Sequence, residues 1–264
     1  FERQWPELNE DGYSAELSSS FHGNGNRYEL GADLAAGNDD GYIRVIGHKT
    51  EGDNYEDGNG TEIRSSFESL SKSLLAGYRL TDNTTIEASY EQQEEDDVLF
   101  AGAGMDSPYA DSDTARLKLT HEFEQGALQM MEFEVYKSDV KHNMDNYSLR
   151  TPPMNPMMRR QAPSTSDTEG MRLLFDAQLA DIDWTFGADL QNNTRNAELQ
   201  NAAGTAVMVM WPDAQIDQTG IFAEGEKALG QDDIVKAGLR YDRVKARATR
   251  SLEVASGTTP DAIW

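Results

Sequence analysis

Residues 182–191 read IDWTFGADLQ. Ile182, Trp184, Phe186, Ala188 and Leu190 fall on one parity, and Asp183, Thr185, Asp189 and Gln191 on the other. A period of two is the signature of a β-strand whose alternate side chains point to opposite faces, one apolar and one polar. The preceding residues, MRLLFDAQLA, repeat the pattern with Met171, Leu173, Phe175, Ala177 and Leu179. TARLKLTHEF sets Ala115, Leu117, Leu119, His121 and Phe123 against Arg116, Lys118, Thr120 and Glu122. NRYELGADLA sets Tyr28, Leu30, Ala32 and Leu34 against Glu29 and Asp33. Helical periodicity is almost absent.

Working outward, about eleven such runs cover the chain, near 12–20, 26–36, 40–50, 70–80, 84–94, 112–124, 126–138, 168–180, 182–195, 215–229 and 232–249. Their length, about ten residues or more, exceeds the five or six usual for globular strands. Their connections sort by rim. GNDD, LTDN, EQG, ADI and LGQD are tight turns, whereas residues 51–69, 95–111, 139–167 and 196–214 are long loops; only the FHGNGN connection breaks the alternation by being short. Long amphipathic strands with short turns on one rim and long loops on the other predict an all-β, antiparallel transmembrane β-barrel. The alternatives are a soluble β-sandwich binding module or a lipocalin-like barrel, for which strands this numerous and loops this lopsided are less expected.

Composition agrees. The 264 residues include 47 acidic and 23 basic side chains, a net charge of -24, and are 38% hydrophobic. In a barrel the apolar half of each strand faces lipid and the polar half a wet interior, so low mean hydropathy needs no disorder to explain it. No basic stripe is available to neutralise phosphates, which excludes nucleic acid and favours cations as partners. There is no cysteine, hence no disulfide or thiolate metal site within these residues. No G-x-S-x-G elbow occurs, the HEF at 121 is not HExxH, and AGAGMDS lacks the third glycine of a dinucleotide loop, so no enzyme is predicted. An odd strand count, with Phe1 at one end and Trp264 inside a Ser/Gly/Thr/Pro stretch at the other, predicts the N-terminal half of a larger barrel, of the 22-stranded plugged type.

The chemistry gathers in KHNMDNYSLR, residues 141–150. Residues i and i+2 of an extended segment project to the same side, so the His142 imidazole and the Met144 thioether are placed to converge on one atom. Nitrogen and soft sulfur suit copper, and the thioether favours the cuprous state. Met154, Met157 and Met158 follow; they pack where a loop folds over the lumen, or else act as accessory thioethers for metal capture. Met208 and Met210 of VMVMW are read in the same two ways, on one side of an extended stretch, and at least one of Met130 and Met131 should face lipid. DNYEDGNGTE (53–62) is not a calcium loop, because Tyr55 takes a ligand position and Arg64 stands where the closing glutamate belongs. EQQEEDD (91–97) reads as a solvated strand end, and His22, His48 and His121 as isolated structural or surface residues.

KHNMDNYSLR with TPPMNPMMRRQAPSTSDTEG resembles the corresponding barrel segment of TonB-dependent copper receptors of the bacterial outer membrane. The opening FERQWPEL resembles the join between the plug and first barrel strand of such a receptor. The resemblance implies an outer-membrane receptor that imports copper, one barrel domain over residues 1–264 without its plug and C-terminal strands, and energy from the TonB complex. It makes His142 and Met144 the barrel's two copper ligands, the others being a cysteine and a methionine of the plug. A receptor for a siderophore or haem is the alternative within the same class.

Overall fold

The computed structural model describes Pro6, residues 12–230 and residues 233–248. FERQWPEL, except for Pro6, and the terminal stretch to Trp264 lie outside the described residues. Eleven long strands form: β1 (Tyr13–His22), β2 (Arg27–Asn38), β3 (Gly41–Gly52), β6 (Phe67–Thr81), β7 (Thr84–Val98), β8 (Asp106–Glu122), β9 (Leu128–Asp145), β11 (Ser164–Leu179), β12 (Ile182–Asn201), β13 (Ala206–Ala228) and β14 (Ile234–Ala248). Short pieces complete the set: a hairpin of β4 (Tyr55–Glu56) and β5 (Glu62–Ile63), a 3-10 turn at Pro156–Met158, and β10 (Arg160–Gln161). Each long strand pairs antiparallel with the next in one sheet, and β10 bridges β9 and β12 beyond the end of β11. Among the described residues β1 and β14 have one neighbour each, so the sheet is an open section of barrel wall.

The register shows why these sequences pair. Ala88, Leu117, Val135, Met171 and Leu190 are directly opposed across five successive strands. Two residues nearer the tight turns, Ile86, Leu119, Phe133, Leu173, Ala188 and Ile221 make a second row on the same face. Met131, Phe175 and Phe186 belong to a third, where the two phenylalanine rings stack 5.6 Å apart. Met131 thus faces outward, as expected of one of the methionine pair. Leu117, Leu190, Ile221 and Leu239 are large apolar side chains left exposed, which a water-soluble sheet would cover. From Met171 to Leu179 this face presents about 25 Å of apolar extended chain, the height of a lipid-facing band. No helix is long and apolar enough to cross a membrane among the described residues.

The opposite face carries a row of alternating sign: Glu87, Lys118, Glu134, Arg172 and Asp189 are mutual cross-strand neighbours from β7 to β12. Lys118 Nζ lies 2.6 Å from Glu87, and Arg240 on β14 reaches back to Asp189 at 2.7 Å. Opposite charges directly across a pair are favourable, each by about 0.2–1 kcal/mol. Along this row acidic and basic side chains therefore alternate strand by strand. Two glycines make room on this face. Gly170 lies directly opposite Tyr136, and a Cβ there would strike the ring; Gly77 opposes Tyr42 in the same way. The β11–β12 turn is of the tight hairpin kind in which both central residues have positive φ, here Ala180 at 54° and Asp181 at 57°.

The two rims differ as expected, with a correction to the lengths. Turns 39–40, 82–83, 123–127 and 180–181 lie on one rim. On the other, the strands continue well into three segments read from sequence as loops. The β7–β8 loop is only 99–105, the β9–β11 loop is 146–163, and the β12–β13 connection shrinks to 202–205. Strand pairing persists there because backbone hydrogen bonds need no apolar face. The alternation that identifies a strand in sequence is imposed by lipid and stops where lipid stops.

Candidate metal centre

His142 and Met144 lie near the end of β9, on the long-loop rim, within a strand instead of a loop. β9 is continuous through both, so the two side chains share a face, the inward one that carries Glu132, Glu134 and Tyr136. Both are half-buried. His142 is opposed by Ala110 on β8 and Ser164 on β11, and the Ser164 hydroxyl donates to the His142 carbonyl at 3.2 Å. Burial holds the His142 imidazole below the usual histidine pKa, while the negative charge of Glu95 works in the opposite direction. The neutral ring that results is the form that donates a lone pair to a metal.

Opposite Met144, β8 carries an extra residue: the register passes from Asp106↔Asp145 to Tyr109↔Asn143, leaving Ser107 and Pro108 to face one position. Such a bulge bends the strand and re-aims the neighbouring side chains. The Ser107 hydroxyl donates to the Asn143 carbonyl at 3.1 Å and closes the gap in the ladder.

Just behind the pair lies a polar knot. Asp106 is fully buried at 0% exposure. Arg150 grips it with two hydrogen bonds, Nη2 to Oδ1 at 2.6 Å and Nε to Oδ2 at 2.8 Å, Arg64 Nη2 adds a third at 2.6 Å, and the Phe100 N–H a fourth at 3.0 Å. Arg150 also donates to the Ala103 carbonyl at 2.9 Å, and Arg64 to that of Leu149 at 3.0 Å. Three outer loops thus meet on one carboxylate. Burial by itself would raise its pKa; Arg150, the Phe100 N–H and Arg64 outweigh that and bring it down to about 2. Asp145, next to Met144, accepts the Tyr147 and Ser148 N–H groups at 2.9 and 2.8 Å and the Ser148 hydroxyl at 2.7 Å, fixing the start of the β9–β11 loop. This knot has no local signature, because Arg64 and Arg150 lie 42 and 44 residues from Asp106.

Among the described residues the loop methionines pack against little. Met154 is 100% exposed, Met157 76% and Met158 61%, on a loop pinned by Asn146, whose side chain donates to the Met158 carbonyl and accepts from the Arg160 N–H. Met208 and Met210 are exposed on β13, not in a loop. Register shifts between Ala197 and Glu198 and between Leu199 and Gln200 leave Met208 opposite Leu199 and Met210 without a direct partner, so strict alternation does not relate the two. Among the described residues no group of three or more His, Cys, Asp or Glu side chains is placed to hold a metal ion. A centre at His142 and Met144 has to complete its coordination with thioethers or with groups outside these residues.

Other sequence candidates resolve into structural roles. Asp57 accepts the N–H groups of Asn59 and Thr61 at 2.8 and 3.0 Å and caps the β4–β5 hairpin, so DNYEDGNGTE is a turn. His121 bonds Thr84 at 2.8 Å and packs edge-on to Phe123. EQQEEDD lies within β7 and its outward Glu94 pairs with Lys72 at 3.6 Å.

No family model and no curated protein matches the sequence. Solved structures do. A structure described as the copper transporter OprC superposes with a TM-score of 0.83 at 25% identity, over 95% of this chain and 40% of that one. The FpvAI–pyocin S2 complex gives 0.67 at 9% identity, over 90% and 36%. The ferripyoverdine receptor of the Pseudomonas aeruginosa outer membrane gives 0.59 at 11%, over 93% and 38%. This chain spans about two fifths of each, and the last two speak for the fold alone. Strand order, register and these likenesses together give the chain the fold of a TonB-dependent receptor barrel, of which it forms an open section.

Proposed function

We propose that this chain is barrel wall of an outer-membrane receptor that binds copper ions and imports them, with His142 and Met144 as the ligands it contributes. The observation that carries the reading is their placement: one imidazole and one thioether on the same inward face of β9, on the long-loop rim. The likeness to a copper transporter at 25% identity supports it. The ferripyoverdine receptor, at 11%, lends the siderophore alternative the fold only. The remaining donors come from a plug inside the barrel, outside residues 1–264, and the TonB complex drives release inward.

The chemistry is selection by donor softness. Thioether and imidazole favour cuprous copper over the hard cations that the many surface carboxylates attract. A neutral, half-buried imidazole binds without first losing a proton. The exposed Met154, Met157 and Met158 offer soft donors on the approach to the rim. Isothermal titration of the full-length receptor with copper tests the proposal. His142→Ala and Met144→Ala are each expected to weaken binding at least tenfold with the barrel intact by heat-modified gel mobility. Unchanged affinity in both rejects copper as the cargo of this site.

A further inference from the structure

Glu95, Ala110 and His142 form one cross-strand row on the inward face: Glu95 on β7 opposes Ala110 on β8, and Ala110 opposes His142 on β9. Neighbouring strands are about 4.8 Å apart, so the two outer Cα atoms of such a row lie about 10 Å apart, a gap that an extended glutamate and an imidazole bridge from opposite ends. Ala110 is what leaves that gap open, since its side chain is a single methyl group. Glu95 is held in place by Gln93, whose Nε2 donates to Oε1 at 3.0 Å, and a carboxylate keeps further acceptor capacity after one such bond. Neither ring nitrogen of His142 has a hydrogen-bond partner among the described residues, so one is free for a metal and the other for an acceptor.

We infer that Glu95 is a positioning residue for His142: across Ala110 its carboxylate is placed to receive, through one water, the imidazole N–H remote from the metal, fixing the ring's tautomer and orientation. The inference rests on the copper reading of His142. A carboxylate behind a ligating imidazole strengthens the ring as a donor and adds a negative charge close to the metal. That charge favours the cupric over the cuprous state, so Glu95 also sets the balance between them, opposite in sense to Met144. The field of Glu95 at the His142 ring agrees with this placement.

The test uses the full-length receptor in detergent, with copper alone as probe, in Glu95→Gln, Ala110→Leu and His142→Ala. Glu95→Gln keeps the size and the acceptor for Gln93 and removes the charge; Ala110→Leu keeps the charge and fills the gap. Each is expected to weaken copper binding about tenfold. Glu95→Gln should also raise the reduction potential of the bound copper and change the cupric hyperfine splitting in electron paramagnetic resonance, neither of which follows from a loss of packing. If His142→Ala abolishes binding while Glu95→Gln and Ala110→Leu match the parent in affinity, potential and spectrum, the inference fails and the copper reading stands. If His142→Ala binds as the parent does, the inference fails together with the ligand role of His142 on which it rests.

Discussion

Two segments of the same strand, β9, divide at Lys137. On the tight-turn side its outward residues are Met131, Phe133 and Val135, and its inward ones Glu132 and Glu134. On the long-loop side the pattern inverts: Lys137, Asp139, Lys141 and Asn143 point outward, while Val140, His142 and Met144 point inward. The backbone pairs alike in both. What changes is the solvent on the outer face, lipid in the first segment and water in the second, and with it which side must be apolar. On that inward face of the outer segment His142 is half-buried, and burial holds its imidazole below the usual histidine pKa.

The largest effect expected from breaking this division is in the outer segment. Asp106→Ala leaves Arg64 and Arg150 without their shared carboxylate, a change that costs about 3 kcal/mol where such groups are buried. It should raise hydrogen exchange across residues 99–105 and 146–163 and leave β11–β12 protected. The same carboxylate predicts an acid limit. Its folded pKa is about 2, below the ordinary aspartate value of 3.8, so its contribution is complete above about pH 4 and is lost as pH falls through about 2. A gap of that size is worth about 2 kcal/mol, and exchange in these loops should accelerate over that window before the barrel itself unfolds.

In the spanning segment the comparison is between faces at one height. Phe186→Arg puts a charge in lipid and is expected to cost about 2–4 kcal/mol by urea unfolding into vesicles, whereas Thr185→Arg, on the inward face, should cost less than about 1 kcal/mol. Gly170→Ala tests the inward packing. Its Cβ would strike the Tyr136 ring, for a loss of about 1–3 kcal/mol that Tyr136→Ala in the same molecule should largely relieve. The smallest effect belongs to Lys236→Ala: its pairs with Glu224 and Glu226 are exposed, and no change in stability should be measurable.

The same division explains what the sequence discloses. In the spanning segment lipid forces a period of two, so residues 182–191 or 171–179 reveal strand, face and partner at sight, and the strand count of eleven follows. Beyond Lys137 both faces meet polar surroundings somewhere along the strand, the period weakens, and residues 139–145 read as loop although β9 continues to Asp145. That His142 and Met144 share a face was still legible, because the relation is local, two residues apart on one strand. The knot on Asp106 and the Glu95–Ala110–His142 row were not, since both are made by strand pairing between distant residues. AGAGMDS and EQQEEDD accordingly look inert until the register sets Asp106 opposite Asp145 on β9 and places Glu95 across Ala110 from His142, with one strand between them.

X-ray absorption at the copper edge of the loaded full-length receptor reads the metal's ligands themselves. His142→Ala is expected to remove one imidazole from the coordination sphere and Met144→Ala one sulfur, each without disturbing the other shell. Spectra of both variants identical to the parent's would place copper elsewhere and contradict the ligand role of the two side chains.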